Sequence, residues 1–91
     1  MILFKNVKPI TDGKIQNKCD ILVDNGKIID ISANISASKA DTVYDLNGAI
    51  LTAGYIDLHT HGGGGHDMME GTALAIEEIS KYHLSTGTTT Y

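Results

Sequence analysis

The 91 residues suffice for one small domain but fall far short of the roughly 250 that a complete (β/α)8 barrel requires. A hydrophobic content of 42% with 20% charged residues excludes a disordered chain, and a net charge of −4 with lysine as the only cationic residue type excludes the basic footprint of a nucleic-acid binder. The lone Cys19 permits no internal disulfide, the opening Met1-Ile2-Leu3-Phe4-Lys5 lacks a signal-peptide layout, and no apolar run nears the ~20 residues of a membrane span, so a soluble cytoplasmic protein with no membrane partner is expected.

Residues 1–7 are rich in β-formers, and Thr11-Asp12-Gly13-Lys14 is a turn signal. Residues 19–24 and 27–31 are two apolar runs flanking Asn25-Gly26, which predicts a β-hairpin with a two-residue turn. Asn and Gly adopt the positive φ of such a turn at least cost. Residues 32–41 are small and polar and predict a loop. A strand over 42–46, a second turn at Asn47-Gly48 and a short apolar run over 49–51 follow.

The character changes after Gly54. Residues 55–61 predict a strand with one apolar side. Gly62 to Gly65 then predict a roomy loop continuing through Glu70. Thr72 is a candidate helix cap, because its hydroxyl can accept from the backbone N–H groups of the first turn. Leu74, Ile76, Ile79, Tyr82 and His83 follow helical spacing, Gly87 is a helix stop, and residues 88–91 favour β structure. The class read from the residues is mixed α/β: strands and hairpins, then one βα unit and the start of another strand.

The chemistry lies in His59-Thr60-His61. On a strand, side chains alternate faces, so Asp57, His59 and His61 share one side, with about 7 Å of rise between the two imidazoles. Rotation of the rings can bring both to one metal ion, and neutral imidazole suits zinc, iron, nickel or copper. The bland alternatives are that one imidazole serves a core hydrogen bond and that the glycines are a flexible connection. Two ligands are also too few for a zinc site, which takes about four. His66 reads as a surface loop residue, and His83, late in the helix, as structural.

The stretch from Asn47 to His61 resembles the barrel entry of the amidohydrolase superfamily. Its continuation through Gly62-Gly63-Gly64-Gly65-His66-Asp67 resembles the N-acetylglucosamine-6-phosphate deacetylases, as does Ser85-Thr86-Gly87-Thr88-Thr89-Thr90 at the second barrel strand. Ala53 departs from the proline usual there. The resemblance implies that residues 1–51 are part of a composite β-sandwich and that 52–91 begin a TIM-type metal-dependent hydrolase barrel. It implies His59 and His61 as ligands of a divalent metal, zinc or iron foremost. The implied reaction removes the acetyl group of N-acetylglucosamine 6-phosphate, a small amino-sugar phosphate substrate, in a homodimer. No catalytic residue falls within the chain on this reading; the general base and phosphate-binding groups are expected beyond Tyr91, and the 91 residues alone are expected to be inactive. Asp57 is expected to position its neighbours. A dihydroorotase-like or hydantoinase-like cyclic amidase is the alternative enzyme, and a β-rich assembly module the non-enzymatic one.

Overall fold

The computed structural model describes residues 1–91, which divide into two units, Met1–Ala53 and Gly54–Tyr91. In the first, strand β1 (Ile2–Thr11) is central. It pairs antiparallel with β3 (Cys19–Asp24) and parallel with β5 (Thr42–Leu51), while β3 pairs antiparallel with β4 (Lys27–Ser32). The order is therefore β4-β3-β1-β5, and β2 (Lys14–Ile15) folds back on the end of β1. Two of the three expected turns form by the expected chemistry. Asp12 and Gly13 take φ of 51° and 73°, and Asn25 and Gly26 take 48° and 73°, the paired positive angles of a tight hairpin turn.

Asn47-Gly48 is not the turn that its residues predict. β5 runs unbroken through it, and the two positive φ angles, 52° and 83°, are absorbed as a bulge. The partner strand bulges with it. Register passes from Lys5↔Asp45 to Val7↔Ala49, and the intervening Asn6 itself has φ of 58°. Asp45 holds the irregularity together: its Oδ1 accepts from Asn6 Nδ2 and from the Asn47 backbone N–H, each at 3.0 Å. The Asn6 amide, and then the Asn47 N–H, keep this carboxyl below the usual range.

One side of the sheet is closed by the segment after β4. Ile35 is driven into a cluster with Leu3 and Leu22, and Ala40 packs against it. The predicted loop is thus partly ordered, with a turn of 3₁₀ helix at Ala37–Lys39. Buried Asp20 ties this segment down: Oδ2 accepts from Lys5 Nζ at 2.8 Å and from Ile35 N at 2.9 Å, and Oδ1 accepts from Asn6 N at 3.0 Å. The other side of the sheet is an open apolar hollow of about 420 Å³, lined by Phe4, Ile10, Val23, Ile28, Ile31 and Leu51 among others.

In the second unit, β6 (Tyr55–Ile56) lies parallel to β9 (Thr88–Thr90), with helix α1 (Ala73–Ser85) between them in sequence. The expected strand over 55–61 is much shorter: the ladder ends with Asp57 N donating to Thr90 O. Gly54 is required by this pairing, because a Cβ there would lie 2.1 Å from Thr89 Oγ1. The glycine run is no roomy loop either. Gly62–Gly63 (β7) pairs with His66–Asp67 (β8) across Gly64 and Gly65, whose φ values are 60° and 82°. A 3₁₀ turn at Met68–Glu70 follows, capped reciprocally by Asp67 and Glu70. Thr72 caps α1 as its residue type predicts, its Oγ1 accepting from Ala75 N at 3.1 Å. The buried stripe of the helix is Ala75, Ile79 and His83, spaced by four. Leu74, Ile76 and Tyr82, expected on that stripe, are exposed. No helix is long and apolar enough to cross a membrane, which leaves membrane β-barrels unaddressed.

Candidate metal centre

Once β6 ends, the chain from Asp57 to His61 is held by local bonds instead of a sheet ladder. Asp57 Oδ1 accepts from His59 N at 3.1 Å, fixing the approach to the first histidine. The positioning role expected of Asp57 thus takes the form of a backbone clasp. Thr60 Oγ1 bridges forward, donating to Gly62 O at 3.0 Å and receiving Gly62 N at 3.3 Å. His61 O accepts from Met68 N at 2.8 Å, which joins the second histidine to the glycine hairpin.

The consequence is convergence of the two rings. His59 Nε2 and His61 Nε2 are 3.1 Å apart, with the ring planes at 72°. Two nitrogens at about 2.0–2.1 Å from a tetrahedral zinc would stand about 3.3–3.4 Å apart. The observed spacing of 3.1 Å corresponds to an N–metal–N angle of about 100°. The spacing is that of a ring-to-ring N–H···N hydrogen bond, and it also fits two adjacent positions of one ion, with both rings exposed to a ligand from outside. No third His, Cys, Asp or Glu completes a cluster within the chain. The arrangement can supply two neutral donors and leaves the remaining positions to other groups.

The other histidines are placed elsewhere. His66 Nδ1 lies 3.2 Å from Glu70 Oε2. Glu70 also accepts from Asp67 N, and that bond first, then His66, holds its carboxyl below the ordinary range. This pair belongs to the cap of the 3₁₀ turn. His83 is buried, as a structural reading expects, but its Nε2 reaches Gly62 O at 3.2 Å and Thr60 Oγ1 at 3.3 Å. The sequence gives no local sign of that contact, since 23 residues separate Thr60 from its partner. The only available hint is a polar residue on an otherwise apolar helical stripe.

Comparison with known proteins bears on this geometry. The chain is 43% identical over 56 residues to a dihydroorotase of Carboxydothermus hydrogenoformans, covering 62% of this chain and 13% of the relative. It is 33% identical over 60 residues to a dihydroorotase of Geobacillus sp., covering 66% and 14%. It is 43% identical over 44 residues to a 5-methylthioadenosine/S-adenosylhomocysteine deaminase of Thermococcus onnurineus, covering 48% and 10%. These relatives are amidohydrolases. A crystal structure of a dihydroorotase shares the fold at a TM-score of 0.57 and 38% identity, over 74% of this chain and 18% of that one. No protein-family model matches. The chain spans between 10% and 14% of the lengths of these three curated amidohydrolases. These relatives are members of the superfamily that the residues after Asn47 resemble. The narrower expectation of an N-acetylglucosamine-6-phosphate deacetylase gains no support from these relatives, whereas the cyclic-amidase alternative does.

Proposed function

We propose that this chain contributes two metal ligands, His59 and His61, to a dihydroorotase-like amidohydrolase that opens a cyclic amide by hydrolysis. The carrying observation is the 3.1 Å approach of the two Nε2 atoms. The similarity to dihydroorotases supports the choice of a cyclic amide over an acetylated sugar phosphate. A bound divalent ion, zinc or iron, supplies polarisation of the scissile carbonyl and hydroxide near neutral pH. The chain's own share is orientation. Asp57 fixes the backbone of His59, and Thr60 with the glycine hairpin fixes that of His61. General base and substrate-binding groups belong to the remainder of the whole protein. The open apolar side of the β1–β5 sheet is, on the same proposal, the face completed in a composite sandwich, and β6-α1-β9 is the first step of a barrel.

The test is metal content and hydrolysis by the whole protein, with dihydroorotate, hydantoin, 5-methylthioadenosine and N-acetylglucosamine 6-phosphate offered in parallel. Ring opening of a cyclic amide that disappears in both His59→Asn and His61→Asn is the expected result. Metal-dependent release of acetate with the cyclic amides untouched would restore the deacetylase. Full metal content and activity in both histidine variants would sink the metal assignment itself.

A further inference from the structure

The two histidines sit on a segment with no sheet ladder of its own, so contacts from outside it add to the few local bonds that hold the backbone carrying the rings. We infer that His83 is a positioning residue for the two-histidine site, acting from helix α1 through the backbone around His61; the inference rests on the reading of His59 and His61 as metal ligands. A carbonyl oxygen only accepts, so the 3.2 Å contact to Gly62 O requires a proton on His83 Nε2. The same proton faces Thr60 Oγ1 at 3.3 Å, and that hydroxyl donates in turn to Gly62 O at 3.0 Å. One imidazole thereby holds the residue between the two ligands and the residue immediately after the second.

Packing at the next position reinforces the hold. Gly63 lies so close to α1 that a Cβ there would be 2.6 Å from Tyr82 Cδ1. The consecutive helix residues Tyr82 and His83 thus grip the consecutive glycines that leave His61. Shape alone does not call for histidine at this place. Its neighbours on the buried stripe, Ala75 and Ile79, are apolar, and the rings of Tyr82 and Tyr91 pack against it. What histidine adds is the N–H directed at the Thr60–Gly62 bridge. An apolar ring has no such donor.

Cobalt(II) binding to the full-length protein tests this, with affinity from chelator competition and ligand geometry from the visible bands. His83→Phe keeps the ring and removes the donor. It is expected to weaken cobalt binding, by at most the about 10–100-fold that follows loss of a group bonded directly to a ligand, and to change the visible bands. His83→Gln, which restores an N–H, is expected to recover both. If His83→Phe binds cobalt with wild-type affinity and spectrum while His59→Asn does not, the positioning role is refuted and the metal reading stands. If His59→Asn also binds as wild type, the metal reading falls and takes the inference with it. Should His83→Phe not fold, ring nitrogen NMR of the unsubstituted protein decides: a proton on Nε2 of His83 is expected, and a ring protonated at Nδ1 alone overturns the inference.

Discussion

Replacing Asp20 by asparagine preserves shape and removes charge at the point where the sheet of the first unit is tied to the segment carrying Ile35. The carboxylate serves three donors with two oxygens: Lys5 Nζ and Ile35 N on Oδ2, and Asn6 N on Oδ1. An amide offers one acceptor and one donor, so either orientation turns its NH₂ toward a backbone N–H. The variant therefore loses a charge-assisted bond, worth about 1.5–3 kcal/mol, and strands a donor at about 1–3 kcal/mol. Lys5, with a side chain 24% exposed, recovers part of its loss from water and keeps Ile35 O at 3.1 Å. A net destabilisation of about 2–4 kcal/mol follows. That is a large share of the roughly 5–15 kcal/mol typical of a domain.

Urea unfolding at neutral pH, followed by far-ultraviolet circular dichroism, measures it, with exposed Asp45→Asn as the control expected to lose far less. Burial pushes the Asp20 carboxyl up, but the Lys5 ammonium and the N–H groups of Ile35 and Asn6 outweigh it and hold it below the ordinary range. A carboxyl with a depressed folded pKa contributes stability above its unfolded value, about 3.9, and loses it as pH falls through the folded value. The gap between wild type and variant should be full at neutral pH and close below about pH 4. A loss no greater than that of Asp45→Asn, or a gap that widens in acid, would refute the reasoning.

The glycine hairpin yields a ranking. Gly62→Ala places a Cβ 2.1 Å from His66 O, a backbone atom, whereas Gly65→Ala meets open space and only the strain of φ +82°. Thermal melts should find Gly62→Ala much the worse, with Gly65→Ala costing about 1–2 kcal/mol; equal losses would mean that the hairpin is not formed. Thr72→Ala removes the acceptor of Ala75 N and should cost about 1 kcal/mol of stability, while Thr72→Ser retains it. Metal titrations of His59→Asn and His61→Asn should each show losses exceeding the roughly 10–100-fold expected of an outer-shell change. Binding that survives either substitution would count against shared ligation.

What could be read in the sequence was what neighbouring residues decide among themselves. Asn25-Gly26 makes a turn because its own backbone preferences suffice, and Thr72 caps a helix because its hydroxyl reaches three residues ahead. Asn47-Gly48 carries the same local preference and makes no turn. Its outcome depended on Asn6 and on the parallel pairing of β1 with β5, some 40 residues apart in sequence, and no pattern around Asn47 encodes that partner. The glycine run failed in a similar way. Glycine permits a loop and a close approach equally; the approach at Gly62 is to His66 across the hairpin, and that at Gly63 to Tyr82, far along the chain.

The candidate site divides along the same line. The i, i+2 spacing brings the rings of His59 and His61 together, but not by way of a continuous strand. The strand stops at Ile56, and the rings converge on a segment clasped by Asp57, Thr60 and Met68. Without a ladder, the backbone that carries the rings is held by single hydrogen bonds. That makes the site more sensitive than a strand-borne pair to the loss of one distant donor. In a regular strand, removing a contact to residue 60 would leave its neighbours paired in register. Here the Thr60–Gly62 bridge has His83 as its anchor on the helix, so a change 22 residues beyond His61 should reach the proposed metal site.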